Sequence, residues 1–270
     1  MDIKWKNCAK LPCNSGYGSA VVLNSKVYCG GGIENDVEDI YTVYCYDTLQ
    51  DKWSSLPQLP VSNFGLGQTN GKLVTVGGLK KEKSISNELY TFMEQKHKWK
   101  QKIPPMPTPR NSPGILSLPT ALIVAGGYKG QSCYTNAVEV FKPDLSQWYA
   151  TDPLPTPCNC ISLALIDNMC YALGGYQSPL HLNQVLCASV DDLLFNAIPA
   201  NQTTHSDKSG TQSAWGSLPN TPKHAPSAGV LTGHLLAIGG IAEAQPSTAT
   251  AVNKEVYVHS PSSNSWIHYQ

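Results

Sequence analysis

The chain has 270 residues, 41% of them apolar and only 14% charged, which is enough apolar material for one large all-β domain or two small ones. Nineteen basic residues balance nineteen acidic ones, and a zero net charge argues against a nucleic-acid or membrane-surface binder, since both carry a basic excess. No run of about 18 apolar residues occurs, so no membrane insertion is expected, and Met1-Asp2-Ile3-Lys4-Trp5-Lys6 lacks the apolar stretch of a signal peptide.

In chain order, the first element is a short strand over residues 2–10 around Trp5. A repeating unit of about 48 residues then begins, and two markers define it. Glycine pairs stand at Gly31-Gly32, Gly77-Gly78, Gly126-Gly127, Gly174-Gly175 and Gly239-Gly240, spaced by 46, 49, 48 and 65 residues. Tryptophans stand at Trp5, Trp53, Trp99, Trp148, Trp215 and Trp266, spaced by 48, 46, 49, 67 and 51, and every tryptophan of the chain belongs to this series. The repeats run over about 12–58, 59–107, 108–155, 156–219 and 220–270, and together they make residues 1–270 a single domain.

Each repeat reads as four strands. In the first, Ser19–Leu23 and the run before Gly31 flank a turn at Asn24-Ser25. A third strand ends on Tyr46, and Trp53 opens a fourth that Leu56-Pro57 closes. The second repeat has its turn at Asn70-Gly71, an aromatic at Phe92 and a stop at Met106-Pro107. The third has Phe141 and Leu154-Pro155, the fourth Asp167-Asn168 and Leu218-Pro219, the fifth Thr232-Gly233 and His259. Asn, Asp and Gly suit these two-residue turns because they tolerate positive φ. No segment shows a helical period. The fourth repeat carries an insertion of roughly 19 residues around 196–213, read as a loop from its polar composition.

Repeats of this length, with four strands, a glycine pair and a tryptophan in fixed order, resemble the kelch family. The resemblance covers nearly the whole chain. It implies an all-β, kelch-type β-propeller of four-stranded antiparallel blades that pack radially, with tryptophans and aromatics between blades. Five full repeats and one N-terminal outer strand suggest an incomplete six-bladed ring; five blades with a spare edge strand is the alternative. The family often has Arg where the first strand starts. Arg110 fits, and Asn63, Asn159 and Lys223 stand in similar places.

No catalytic constellation emerges. Gly16-Tyr17-Gly18 starts a dinucleotide fingerprint but leads into a strand rather than the required helix. Cys158-Asn159-Cys160 lacks the paired hooks of a zinc site, so neither metal nor cofactor is expected. The nine cysteines show no pairing pattern, and a reducing, cytoplasmic compartment fits them best.

What remains is a protein partner. The loops after the glycine pairs are acidic in repeat one (Glu34, Asp36, Glu38, Asp39) and mostly basic in repeat two (Lys80, Lys81, Glu82, Lys83), a local dipole on a chain of zero net charge. Repeats three and four present Tyr128 with Lys129 and Tyr176 with His181. With Asn63, Arg110, Lys223 and His224 from inter-blade turns, these form the expected partner-binding set, because Tyr and Arg are over-represented at hot spots. The resemblance implies a non-enzymatic interaction scaffold, an adaptor or ubiquitin-ligase substrate receptor. A carbohydrate-binding or galactose-oxidase-like redox enzyme on the same scaffold is the alternative.

Overall fold

The computed structural model describes residues 5–35, 37–102, 104–202, 213–222, 226–240 and 255–269. Five four-stranded antiparallel sheets follow one another along the chain, each with its strands paired in sequence order. Blade one is Ser19–Leu23, Lys26–Gly30, Val43–Asp47 and Lys52–Ser55. Blade two is Gly65–Thr69, Lys72–Lys80, Ile85–Met93 and Lys98–Lys102. Blade three is Gly114–Ser117, Leu122–Ala125, Val138–Lys142 and Gln147–Thr151. Blade four is Asn159–Ile166, Met169–Gln177, Val185–Ser189 and Gly216–Leu218. Blade five is Ser227–Leu231, His234–Ile238, Val256–Ser260 and Ser265–Tyr269.

The predicted hairpin turns are left-handed at both residues in Asn24-Ser25, Asn70-Gly71 and Thr232-Gly233, the conformation that matches the right-handed twist of the strands. The core lies between blades. Leu66 and Leu73 of blade two pack with Tyr28 and Val43 of blade one, and Val74, Val76 and Leu89 pack on the other side with Leu122 and Val124 of blade three. Blades three and four share Ile123, Val140, Cys170 and Leu186, and blades four and five share Leu173, Val185 and Leu235. One meander thus buries both faces only because it has two neighbours.

The tryptophans set the register. Each indole N–H of the fourth strands donates to a carbonyl one repeat upstream: Trp53 to Ala9 at 2.8 Å, Trp99 to Pro57 at 2.8 Å, Trp148 to Pro104 at 3.1 Å, Trp215 to Asp152 at 3.1 Å and Trp266 to Pro219 at 2.9 Å. The expected aromatic partner lies beside four of them, Tyr46, Phe92, Phe141 and His259, with centroids 5.0 to 5.4 Å apart. Trp148 and Trp215 are buried, whereas Trp53, Trp99 and Trp266 are half-buried.

The glycine pairs mark where a second strand meets the next blade. Gly126 has φ 63°, and a Cβ there would lie 2.5 Å from the carbonyl oxygen of Cys158. Only glycine permits this approach.

Three expectations need correction. The N-terminal strand over residues 2–10 is not a strand at Trp5–Lys10; residues 2–4 lie outside the described set. The backbone there pairs with no strand among the described residues and is held by the Trp53 indole and by the Ala9 amide donating to Asp51 at 2.7 Å. Trp5 itself is 73% exposed. Secondly, a helix does exist, Val190–Phe195, capped by Ser189 and anchored by buried Val190 and Leu193. At six residues it is too short for a period to show. Thirdly, the insertion after it is ordered at its start. Ile198–Pro199 adds a fifth strand to blade three, pairing Tyr149 with Pro199 and Ala150 with Ile198. Residues 203–212 lie outside the described set.

First strands pack consecutively from blade one to blade five, and no comparable contact joins blade five to blade one among the described residues. Correspondingly, Val22 is 65% exposed and Leu231 40% exposed, although their counterparts Gln68 and Thr69 sit between blades.

Candidate functional site

The loops after the glycine pairs of blades three and four each fold back as a small hairpin. In blade three, Tyr128–Gly130 pairs with Cys133–Tyr134 across the left-handed residues Gln131 and Ser132, so Tyr128 stands opposite Tyr134. In blade four the second strand runs on to Gln177, and Leu180–His181 returns along it, placing His181 opposite Tyr176. The two hairpins meet. Tyr128 and Tyr134 have centroids 5.3 Å apart, Tyr134 and Tyr176 6.2 Å in an edge-on contact, and Tyr176 and His181 4.8 Å.

Four half-buried rings therefore form one row across two blades. Lys129 is exposed beside it and Leu180 is 53% exposed. The Ser132 amide donates to Tyr128 Oη at 3.1 Å, which fixes that ring. Neither loop, 128–137 or 176–184, contains Asp or Glu. The residues expected at Tyr128, Lys129, Tyr176 and His181 are thus brought together. Tyr134 was missed, and its signal was local: Gly130-Gln131-Ser132 between two tyrosines is a hairpin turn that sets them opposite each other across the strands.

Arg110 is not a surface anchor. It is completely buried. Its Nη2 pairs with Glu139 Oε2 at 2.6 Å, Nη1 donates to the carbonyls of Gly126 and Ala137 at 2.9 and 2.8 Å, and Nε donates to Thr108 O at 3.2 Å. Burial pushes its pKa down, opposed by the Glu139 carboxylate. Asn63 is also buried and donates from Nδ2 to Asp39 Oδ1 at 2.9 Å.

Nor do Asn63 and Asn159 share the place of Arg110. Gly78 N donates to Arg110 O and Gly127 N to Cys158 O, so Cys158 is the equivalent residue one blade on. Asn63 corresponds to Ser112 and Cys160. All three are left-handed, with φ of 50°, 47° and 53°, and they are linked in series by Ser112 N donating to Asn63 O and Cys160 N to Ser112 O. Lys223 and His224 lie outside the described residues.

Among the described residues the opposed loop charges of blades one and two meet in one ion pair. Lys83 Nζ lies 2.7 Å from Asp39, Lys80 is 3.1 Å from Glu88 of its own blade, and Lys81 lies over the Tyr41 ring. Asp36 lies outside the described residues. Among the described residues no three His, Cys, Asp or Glu side chains gather to hold a metal ion. No described helix is long and apolar enough to cross a membrane.

Antiparallel blades of four strands, stacked face to face about their first strands, define a β-propeller. The family model described as the Kelch motif matches residues 16–60 and 109–155, and these motifs, with the curated relatives, support a kelch-repeat propeller family. Beta-scruin of Limulus polyphemus is 26% identical over 66% of this chain and 21% of its own. Kelch-like protein 40 of Mus musculus is 29% identical over 65% of this chain and 29% of its own. Kelch repeat and BTB domain-containing protein 1 of Vaccinia virus is 27% identical over 62% and 30%. The chain thus spans less than a third of the length of these curated relatives. The solved structure of YjhT superposes with a TM-score of 0.72 at 12% identity, over all of this chain and 88% of that one, a likeness of fold.

Proposed function

We propose that the chain is a non-enzymatic recognition scaffold that seats a protein partner on the post-glycine face of blades three and four. The row Tyr128–Tyr134–Tyr176–His181 carries this reading. Tyrosines held in place by their neighbours offer large contact area at little conformational cost, and such rings are over-represented among hot spots. The row stands on two hairpins braced by rigid blades, the usual arrangement for binding loops. An adaptor role, including substrate capture for a ubiquitin ligase, is the finer form of this reading.

Photo-crosslinkers placed at Lys129 and at Leu180 are expected to trap a partner that a crosslinker at Leu49, in the third-to-fourth-strand turn of blade one, does not. Tyr134→Ala with Tyr176→Ala is expected to weaken that partner by about 1 kcal/mol or more for each ring while leaving the unfolding midpoint nearly unchanged. Capture from Leu49 alone, or undiminished binding by the double variant, would move the site elsewhere. A glycan array on the same variants decides the sugar-binding alternative, since tyrosines also stack on pyranose rings.

A further inference from the structure

The outer edge of blade two differs from every other. From Lys96 to Lys102 the sequence is Lys-His-Lys-Trp-Lys-Gln-Lys, four lysines in seven residues of a chain whose net charge is zero. Lys98–Lys102 is the edge strand of its sheet, with no strand beyond it among the described residues. Lys98, Lys100 and Lys102 share one face because side chains alternate along a strand. Trp99 points the other way, to the carbonyl of Pro57. Lys96, Lys98 and Lys100 are exposed, Lys102 lies over the Phe141 ring of blade three, and none of the four forms an ion pair among the described residues.

Blade three shows what this position accepts. Its fourth strand takes Ile198–Pro199 as a fifth strand at Tyr149 and Ala150. Since Trp148 and Trp99 are equivalent, Tyr149 and Ala150 correspond to Lys100 and Gln101, whose outer backbone edge is open among the described residues.

We propose that the blade-two edge is a second docking surface, which takes an extended acidic segment of a partner protein by strand addition at Lys98–Lys102. Backbone pairing supplies the affinity of such contacts, and alternate side chains supply their selectivity. Carboxylates at alternate positions of the segment fall opposite Lys98 and Lys100, where opposite charges across strands stabilise the pair. Lysines on an edge also serve to deter pairing. The other open edges of this molecule are not protected in that way: Lys52–Ser55 has one lysine, and Gly216–Leu218 and Ser265–Tyr269 have none.

The test uses the whole chain and a fluorescent peptide of about eight residues, within ordinary strand length, alternating glutamate and threonine. Binding is read by anisotropy and by hydrogen exchange at Lys98–Lys102. The expected result is binding that protects outward amides of that strand. The affinity should fall about tenfold or more, equivalent to about 1.4 kcal/mol, with K98E/K100E or with N-methylation of the peptide on its pairing side. K98E/K100E alters only exposed side chains, and an unchanged unfolding midpoint verifies that it folds; it should gain affinity for a lysine–threonine peptide. Equal binding of the methylated peptide would leave only charge attraction and overturn strand addition. No binding, or tighter binding of a single-stranded oligonucleotide, overturns the proposal as well. None of these outcomes depends on the tyrosine row.

Discussion

Removing Arg110 should break the propeller's middle rather than its binding. The guanidinium is fully buried and makes four hydrogen bonds, one of them to Glu139, which is 3% exposed. Arg110→Met leaves the Glu139 carboxylate buried with only the Thr108 hydroxyl, 2.6 Å from Oε1, as a strong partner. Breaking one side of a buried pair costs about 3–5 kcal/mol. The double variant Arg110→Met with Glu139→Leu removes the stranded charge and should be more stable than Arg110→Met alone. It should not reach the parent, because the carbonyls of Thr108 and Gly126 each lose a donor, at about 1–3 kcal/mol for a buried orphan. Ala137 O is spared, since Gly126 N also donates to it. Urea unfolding followed by tryptophan fluorescence and by circular dichroism measures all three, and coincident curves justify a two-state analysis. A cost under about 1 kcal/mol for Arg110→Met, or a double variant weaker than the single one, would refute the buried-pair account.

The tryptophan series should grade with burial. Trp148→Ala is expected to cost about 3–5 kcal/mol and half-buried Trp53→Ala distinctly less, both by urea midpoint; equal costs would contradict the packing described. Exposed Cys8 and Cys133 should alkylate first in native protein. Burial pushes Cys158 and Cys170 each up to about 12, so they should label only on unfolding, as peptide mass mapping at intervals would reveal. The Asp51 carboxyl is held below its ordinary value of 3.8 by the Ala9 amide first and the Tyr46 hydroxyl second. A depressed carboxyl pKa stabilises its contact above the unfolded value, and that contribution disappears as pH falls through the folded pKa. The Ala9 amide should therefore lose exchange protection only below the ordinary carboxylate range, whereas Asp51→Ala should release it at neutral pH.

The repeat was legible because it is a local, periodic signal. Glycine pairs and tryptophans are fixed by demands every blade shares: a close backbone approach, as at Gly126 against Cys158, and an indole N–H reaching one repeat back. Turn pairs such as Asn70-Gly71 were legible for the same reason, since their φ preference belongs to the residues themselves. Tyr128, Tyr176 and His181 were found because they follow the glycine pairs.

Only the tertiary structure decided which polar residues face solvent. Arg110 and Tyr128 look alike as hot-spot candidates in the sequence, yet one side chain turns inward to Glu139 and the other stands on the rim. That choice depends on a carboxylate 29 residues away, which no local pattern encodes. The charge clusters of blades one and two likewise read as a dipole until Lys83 meets Asp39 across 44 residues. The helix at Val190–Phe195 and the fifth strand of blade three escaped for a related reason. Six residues are too few for a period, and Ile198–Pro199 is a strand only because the edge of blade three lies beside it. The sequence by itself determined the blades and their register; contacts between residues far apart in the chain decided which surfaces are left to bind.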